Sequence, residues 1–353
     1  MDTEKNKQIL VTGGAGYLGS ILVPMLLKEN YDVNVLDRFY FGRSSLAKVQ
    51  NHPNFQITDL DIFHHENIPN LFKNVQTVVH LASISNDPSG DLDPNLTIQT
   101  NFLATISLAR RAKAEKVKQF VFISSCSVYG AGENKILDEQ SPVGPVTLYA
   151  LSKLQCENEL LPIADDEFSI TALRFATLFG YSPRMRFDLA VNTMAKRALQ
   201  NKNIFVNGDG EQYRPFLHVK DAARSILQMI KSDYSLINKQ IFNVGNKKLN
   251  FMIKDLAQEI VSYFPETKIE KIPFNNDRRS YCVSFNKLEK ICNFNALYDI
   301  KYALEEIEDK YWENCFLDMD DKKYYNVEIV KECLKEPVMT YSLASTPRWA
   351  NKG

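Results

Sequence analysis

The sequence predicts an α/β fold: a doubly wound parallel sheet with helices on both faces, followed by a smaller C-terminal α/β cap. Three observations predict it. Short apolar runs of strand type alternate with longer amphipathic stretches through residue 180, the pattern of strands joined by crossover helices. A glycine-rich loop separates the first apolar run from the first amphipathic stretch. Beyond residue 180 the rhythm loosens into shorter elements. The chain therefore divides into 1–180, the sheet unit, and 181–353, the cap, with some segments shared.

The elements follow in order. Gln8–Thr12 reads as the first strand and Tyr17–Asn30 as a helix, with Pro24 tolerated at the cost of a kink. Asp32–Asp37, Phe55–Asp59, Thr77–Ala82 and Gln119–Ser125 read as the next strands. Asn95–Lys116 is one long helix, with apolar residues at Leu96, Phe102, Leu103, Ile106 and Leu108. Leu148–Leu161 is another helix, and Ser169–Phe179 a sixth strand. The cap reads as a helix at Asp188–Gln200, a turn at Asn207–Gly210, a helix at Val219–Lys231, a strand at Ile241–Val244 and a helix at Ile253–Phe264. From Lys301 the chain is helical and charged, ending in a polar tail.

Composition excludes several classes. The 353 residues carry 42 Lys+Arg against 43 Asp+Glu, a formal net charge of -1. That balance gives no field to draw in polyanions, so no nucleic-acid partner is expected. No apolar run reaches the roughly 18 to 20 residues that cross a bilayer, and Met1–Gln8 is too polar for a signal peptide. The six cysteines are scattered without a Cys-x-x-Cys pair, as reduced thiols would be. The five histidines make no paired ligand spacing, so no metal is expected. These features point to a soluble cytoplasmic protein.

The first loop, Thr12-Gly13-Gly14-Ala15-Gly16-Tyr17-Leu18-Gly19, runs from strand to helix. Bare glycines permit a tight turn and let a diphosphate approach the backbone, while the helix start offers free N–H groups. The strand before and the helix after supply the context that a glycine pattern needs. About 20 residues on, Asp37 closes the second strand. A carboxylate there accepts hydrogen bonds from ribose hydroxyls and repels a 2′-phosphate, favouring NAD over NADP. The neighbouring Arg38 pulls the other way, because an arginine accommodates that phosphate.

Tyr149 and Lys153 lie four residues apart, on one face of a helix. A tyrosine ordinarily titrates near pH 10, and bringing it down three units takes roughly 4 kcal/mol of preferential stabilisation of the phenolate. A nearby ammonium and an oxidised nicotinamide would supply that, leaving the phenol able to take a proton from a sugar hydroxyl. The spacing alone occurs on many solvated helix faces; the glycine loop upstream gives it meaning. Ser124 and Ser125 end a buried strand at the side where ligands of open parallel sheets bind.

Together these motifs resemble an extended short-chain dehydrogenase/reductase of the nucleotide-sugar epimerase/dehydratase group. The likeness also rests on Asp59-Leu60, His80-Leu81-Ala82-Ser83, Val128-Tyr129-Gly130, Leu173-Arg174-Phe175 and Asn207 through Asp221, and runs from Ile9 to about residue 310. It implies a modified Rossmann domain over 1–180 that holds NAD, a cap over 181–353 that binds a nucleotide-diphosphate sugar, and a homodimer formed through helices 95–116 and 148–161. Tyr149 would be the acid/base, Lys153 its partner on the nicotinamide ribose, and Ser125 the holder of the reacting C4 hydroxyl. Gly13, Gly16, Tyr17, Leu18, Gly19, Asp37, Asp59, Leu60, Leu81, Ala82, Ser83 and Asn101 would surround the cofactor. Ser85, Cys126, Asn192, Arg214, Arg278 and Arg279 would meet the substrate, and Arg184–Asp188 lies where the family reads the nucleotide.

One departure narrows the chemistry. The 4,6-dehydratases of the group carry an Asp-Glu pair just before Val-Tyr-Gly, where this chain has Cys126 and Ser127. Neither offers a carboxylate, and an unperturbed thiol is a poor substitute. Dehydration and decarboxylation are disfavoured. A 4-epimerase is the leading expectation; a 4-dehydrogenase, a 4-ketoreductase and a non-catalytic dinucleotide sensor are the alternatives.

Overall fold

Seven strands build the main sheet: β1 (Gln8–Thr12), β2 (Asp32–Asp37), β3 (Phe55–Asp59), β4 (Val75–His80), β5 (Gln119–Ser125), β6 (Ser169–Phe175) and β7 (Gln240–Val244). The structure is a computed structural model and describes residues 7–273 and 279–335. Every pairing in this sheet is parallel, in the order β7-β6-β5-β4-β1-β2-β3. Four long helices cover it: α1 (Gly19–Lys28), α2 (Ala104–Ala114), α3 (Leu148–Leu160) and α4 (Val219–Lys231). Successive strand residues face opposite sides, so each strand feeds two cores. Ile9 and Val11 pack with Leu22, Leu26 and Ile226 of α1 and α4, whereas Leu10 packs with Leu108, Ala112 and Leu160 of α2 and α3. The sheet is thus buried on both faces, which explains its continuous apolar runs.

Two predicted elements are subdivided. The expected strand over 169–179 ends at Phe175; residues Thr177–Phe179 leave the main sheet and pair in parallel with Phe216–His218. The expected helix over 95–116 comes in three pieces: Pro94–Thr97, capped by the Asp93 carboxylate, then a π-helical stretch Ile98–Leu103, then α2. The π stretch turns Asn101 inward, where its side chain accepts from Ile84 N (2.7 Å) and donates to Ile84 O (3.0 Å). The predicted strand at 77–82 lies slightly earlier, as β4.

β7 and α4 both come from beyond residue 180, so the chain returns to the main sheet after first leaving it. Three small sheets lie outside: 177–179 with 213–218 and 250–252, 203–207 with 268–272, and 131–137 with 280–283. The crossover direction reverses between β1 and β4, so a crevice opens at their carboxyl ends.

Candidate active site

One cleft runs from the glycine loop to the amino-terminal part of α3, lined at one end by Gly13, Gly16 and Asp37 and at the other by Ser125, Tyr149 and Lys153. Gly13 has φ +72°, and its N–H donates to Leu36 O at 2.9 Å. A Cβ there would stand 2.6 Å from Ala82 N, so no side chain fits. Leu18 and Gly19 begin α1 with no side-chain cap on its first N–H groups. That uncapped terminus beside a bare loop fits a dinucleotide diphosphate. The Asp37 carboxylate accepts from Ala15 N (2.9 Å) and Phe39 N (2.7 Å), which fixes it at the ribose end. Arg38 is tied to Asp61 at 2.5 Å and stacks on Tyr40, so its charge is already met. Both features favour the unphosphorylated ribose of NAD.

At the other end, Thr147 caps α3 by accepting from Ala150 N at 3.2 Å and donates to Asp87 at 2.5 Å. Tyr149 is half-buried and Lys153 only 4% exposed, its Nζ 5.7 Å from the centre of the Tyr149 ring. Burial pushes the Tyr149 phenol up to about 12; Asp87 adds to this, while Arg186 and a hydrogen bond with Ser125 oppose it. Burial brings Lys153 down to about 8, against the pull of Cys156 and Glu157. The expected lowering of the phenol is therefore not produced by these side chains: desolvation outweighs them.

Beneath α3 lies a buried ion pair. Glu157, one turn beyond Lys153, holds Arg174 at 2.7 Å and accepts from Ser124 at 2.5 Å, and Arg174 donates to the Tyr129 hydroxyl at 3.0 Å. Burial alone would lower the Arg174 pKa, but the Glu157 carboxylate more than offsets that and raises it.

Most expected residues line the cleft: Gly13, Gly16, Tyr17, Leu18 and Gly19 of the loop, then Asp37, Leu60, Leu81, Ala82, Ser83 and Ser85, with Ser125, Tyr149 and Lys153. Several do not. Asp59 turns to Arg43 on the surface, leaving Leu60 and Asp61 on the cleft. Cys126 is 1% exposed and donates to Arg174 O, because the residue after Ser125 points to the opposite side. Asn192 is fully buried and holds Gly180 N, Arg186 O and the Tyr17 hydroxyl, so it supports the wall from behind. Asn101 likewise stands behind the cleft, on the Ile84 backbone. Arg214 is buried against Tyr281 and donates to backbone carbonyls, and Arg279 pairs with Asp87. Arg278 lies outside the described residues.

The cleft also contains two arginines of the 184–188 segment, expected only to lie where the family reads the nucleotide, and Asn326, which was not expected there. Arg184 and Arg186 line it, and Arg186 is clamped by Asp188 at 2.8 and 2.9 Å. Asn326 reaches in from 241 residues away to donate to Ser85 Oγ at 2.8 Å. The Arg-x-Asp spacing was readable as a pair; nothing local marks Asn326.

The sequence profile of the NAD dependent epimerase/dehydratase family matches residues 9–245. The chain belongs to that family. NAD is its cofactor, and the glycine loop and Asp37 fit it. The chain is 30% identical over 314 residues to an uncharacterized UDP-glucose epimerase, YtcB, of Bacillus subtilis, covering 84% of this chain and 95% of that one. It is 27% identical over 261 residues to UDP-glucuronic acid decarboxylase 1 of Xenopus tropicalis, covering 72% of this chain and spanning 60% of that protein's length. Among solved structures, a UDP-N-acetylglucosamine 4-epimerase from Methanobrevibacter ruminantium superposes with a TM-score of 0.77 at 25% identity, covering 87% of this chain and 99% of that one. These relatives include both epimerases and decarboxylases of nucleotide sugars, and no described helix is long and apolar enough to cross a membrane.

Proposed function

We propose that the protein is a 4-epimerase of a nucleoside-diphosphate sugar, with a uridine diphosphate sugar as the first candidate, serving cell-surface polysaccharide synthesis. The observation that carries this reading is the chemistry around Tyr149. Two hydroxyls and one ammonium, from Ser125, Tyr149 and Lys153, face the cleft. The carboxylates around this end, Asp87 and Asp188, are each ion-paired, with Arg279 and Arg186. Positions 126 and 127, which hold acid and base in the dehydratases, are a buried thiol and a buried hydroxyl. Such a set suits proton exchange at one sugar hydroxyl and, among the described residues, offers no free carboxylate to expel a second.

Bound NAD supplies the hydride acceptor and the positive charge of its oxidised ring. Tyr149 takes the C4 hydroxyl proton as that carbon is oxidised, Ser125 orients the hydroxyl, and Lys153 stabilises the phenolate. Hydride would then return to the opposite face of C4 while Tyr149 gives its proton back to the C4 oxygen, which completes an epimerisation with no net change in the cofactor. In this reading, the segments after residue 180 that stay outside the main sheet form the substrate side.

The test is to incubate the purified protein with UDP-glucose, UDP-glucuronic acid and UDP-N-acetylglucosamine and follow products by NMR and reduced cofactor by absorbance. The expected result is a C4 epimer with no net NADH, and a loss of roughly 10²–10⁴ in turnover for Tyr149→Phe. Steady NADH with a keto-sugar would make it a 4-dehydrogenase, and released carbon dioxide a decarboxylase; either overturns the reading.

Ile98, Leu103 and Leu151 are large apolar residues left 40%, 49% and 41% exposed on the π-helical stretch and on α3. Covering them with a second copy gives the homodimer, and a monomer by light scattering at working concentration would remove it. All six cysteines are free thiols, which suits the reducing cytoplasm.

A further inference from the structure

Two arginines enter the cleft from one short segment, and they are in opposite states. Arg186 is neutralised by Asp188, with which it makes two hydrogen bonds, and its third nitrogen reaches Ser85 at 3.5 Å. Arg184 is 5% exposed, and its Nε and Nη2 have no hydrogen-bond partner among the described residues. Burial, with Arg186 nearby, brings its pKa down to about 9, which still leaves it charged at neutral pH. A buried guanidinium with open N–H groups costs free energy unless an anion meets it.

Its surroundings say which anion. The segment bearing Arg184 is fastened to the start of α1: Ser182 Oγ donates to Tyr17 O at 2.6 Å and shares a 2.7 Å hydrogen bond with Ser20 Oγ, and Arg184 N donates to Ser20 Oγ at 3.5 Å. The backbone of Arg184 therefore lies beside the uncapped helix terminus, at the end of the cleft away from Tyr149. Its guanidinium lies 3.7 Å over the ring of Phe41, from the loop that follows Asp37. The stack bridges the cleft from the segment after residue 180 to the ribose-side loop.

We propose that Arg184 holds the diphosphate of the dinucleotide, not of the sugar nucleotide, and that its stack on Phe41 closes a clasp over the bound cofactor. Arg186, already neutralised, stays with the catalytic end. The assignment needs NAD to occupy the cleft; it does not depend on which reaction follows.

The experiment uses the full chain stripped of nucleotide and measures binding by calorimetry with NAD, ADP, adenosine and UDP as probes. For Arg184→Gln, NAD and ADP affinity should fall roughly 10- to 100-fold, the weight of a lost charge-assisted contact. Adenosine and UDP affinity should stay within about twofold, since neither probe uses this contact. Phe41→Leu should weaken NAD by several-fold through the lost cation–π contact, and Arg184→Lys should recover part of the loss. If UDP weakens instead, Arg184 belongs to the substrate; if adenosine weakens as much as ADP, the diphosphate is not its ligand. Either result overturns the proposal, as does unchanged NAD affinity. Should Arg184→Gln fail to fold, Arg184→Lys and Phe41→Leu still decide it. A protein that fails every sugar assay while Arg184→Gln loses NAD would refute the epimerase reading and leave the clasp standing.

Discussion

The floor beneath α3 and the wall beside the glycine loop each bury an arginine against an aromatic ring, yet they are built for different ends. Arg174 lies 5.0 Å over Tyr129 and has every arm of its guanidinium engaged, by Glu157 and by the Tyr129 hydroxyl. Arg184 lies 3.7 Å over Phe41 with two nitrogens unpartnered among the described residues. The first arrangement is complete within the fold and positions the helix that carries Tyr149 and Lys153. The second is complete only when something negative arrives. Burial by itself does not say whether a charge is structural; the number of hydrogen bonds met from inside the protein does.

The largest effect that would test this contrast is on the floor. Glu157→Gln leaves Arg174 buried with its charge uncompensated, and removing one partner of such a pair costs about 3–5 kcal/mol. The urea midpoint should fall accordingly, with the slope unchanged. A loss below about 1 kcal/mol would mean that water or relaxation reaches Arg174, and the floor would then resemble the wall.

This contrast also explains what the sequence did and did not disclose. The glycine loop was legible because strand, loop and helix are contiguous, and Tyr149 with Lys153 because four residues on a helix share a face. Leu60, Ser83 and Ser85 reach the cleft for the same reason, as residues at or just beyond strand ends. Side-chain direction in irregular backbone was not legible. Cys126 follows Ser125 yet turns to Arg174, and Asp59 turns outward to Arg43 while Leu60 turns inward. Long-range closure was the least accessible. Asn192 is buried between Gly180 and Tyr17, and Asn326 meets Ser85 across 241 residues, through contacts that no local pattern announces.

A second, smaller effect separates Lys153 from Arg174, although both adjoin Glu157. Glu157 is committed to Arg174 and Ser124, so Lys153 is buried without an ion pair among the described residues, and its pKa falls from 10.5 to about 8. Between those values the unfolded chain binds the proton that the folded chain has released, so stability rises with pH across that window. Below pH 8 the buried charge is a cost. Lys153→Met should therefore be more stable than wild type at pH 7, on the order of 1–3 kcal/mol, with the gap closing by pH 10.5. A gap that stays constant with pH would show that Lys153 is paired in solution.

The smallest expected loss of stability belongs to the wall, and it sharpens the comparison most. Arg184→Gln removes a buried charge whose Nε and Nη2 meet no acceptor among the described residues, so the nucleotide-free variant should be at least as stable as wild type, where Glu157→Gln loses several kcal/mol. A deficit relative to wild type should appear only on adding NAD. Stabilisation by a ligand grows as RT ln(1 + [L]/Kd), so a tenfold weaker Kd at saturating NAD removes about 1.4 kcal/mol of the ligand's contribution. Thermal unfolding with and without NAD reads this directly: nucleotide-free Arg184→Gln should melt no earlier than wild type, and the rise in melting temperature on adding NAD should be smaller in the variant. A variant that melts early without nucleotide would place Arg184 with Arg174, as part of the scaffold, and the distinction between floor and wall would fail.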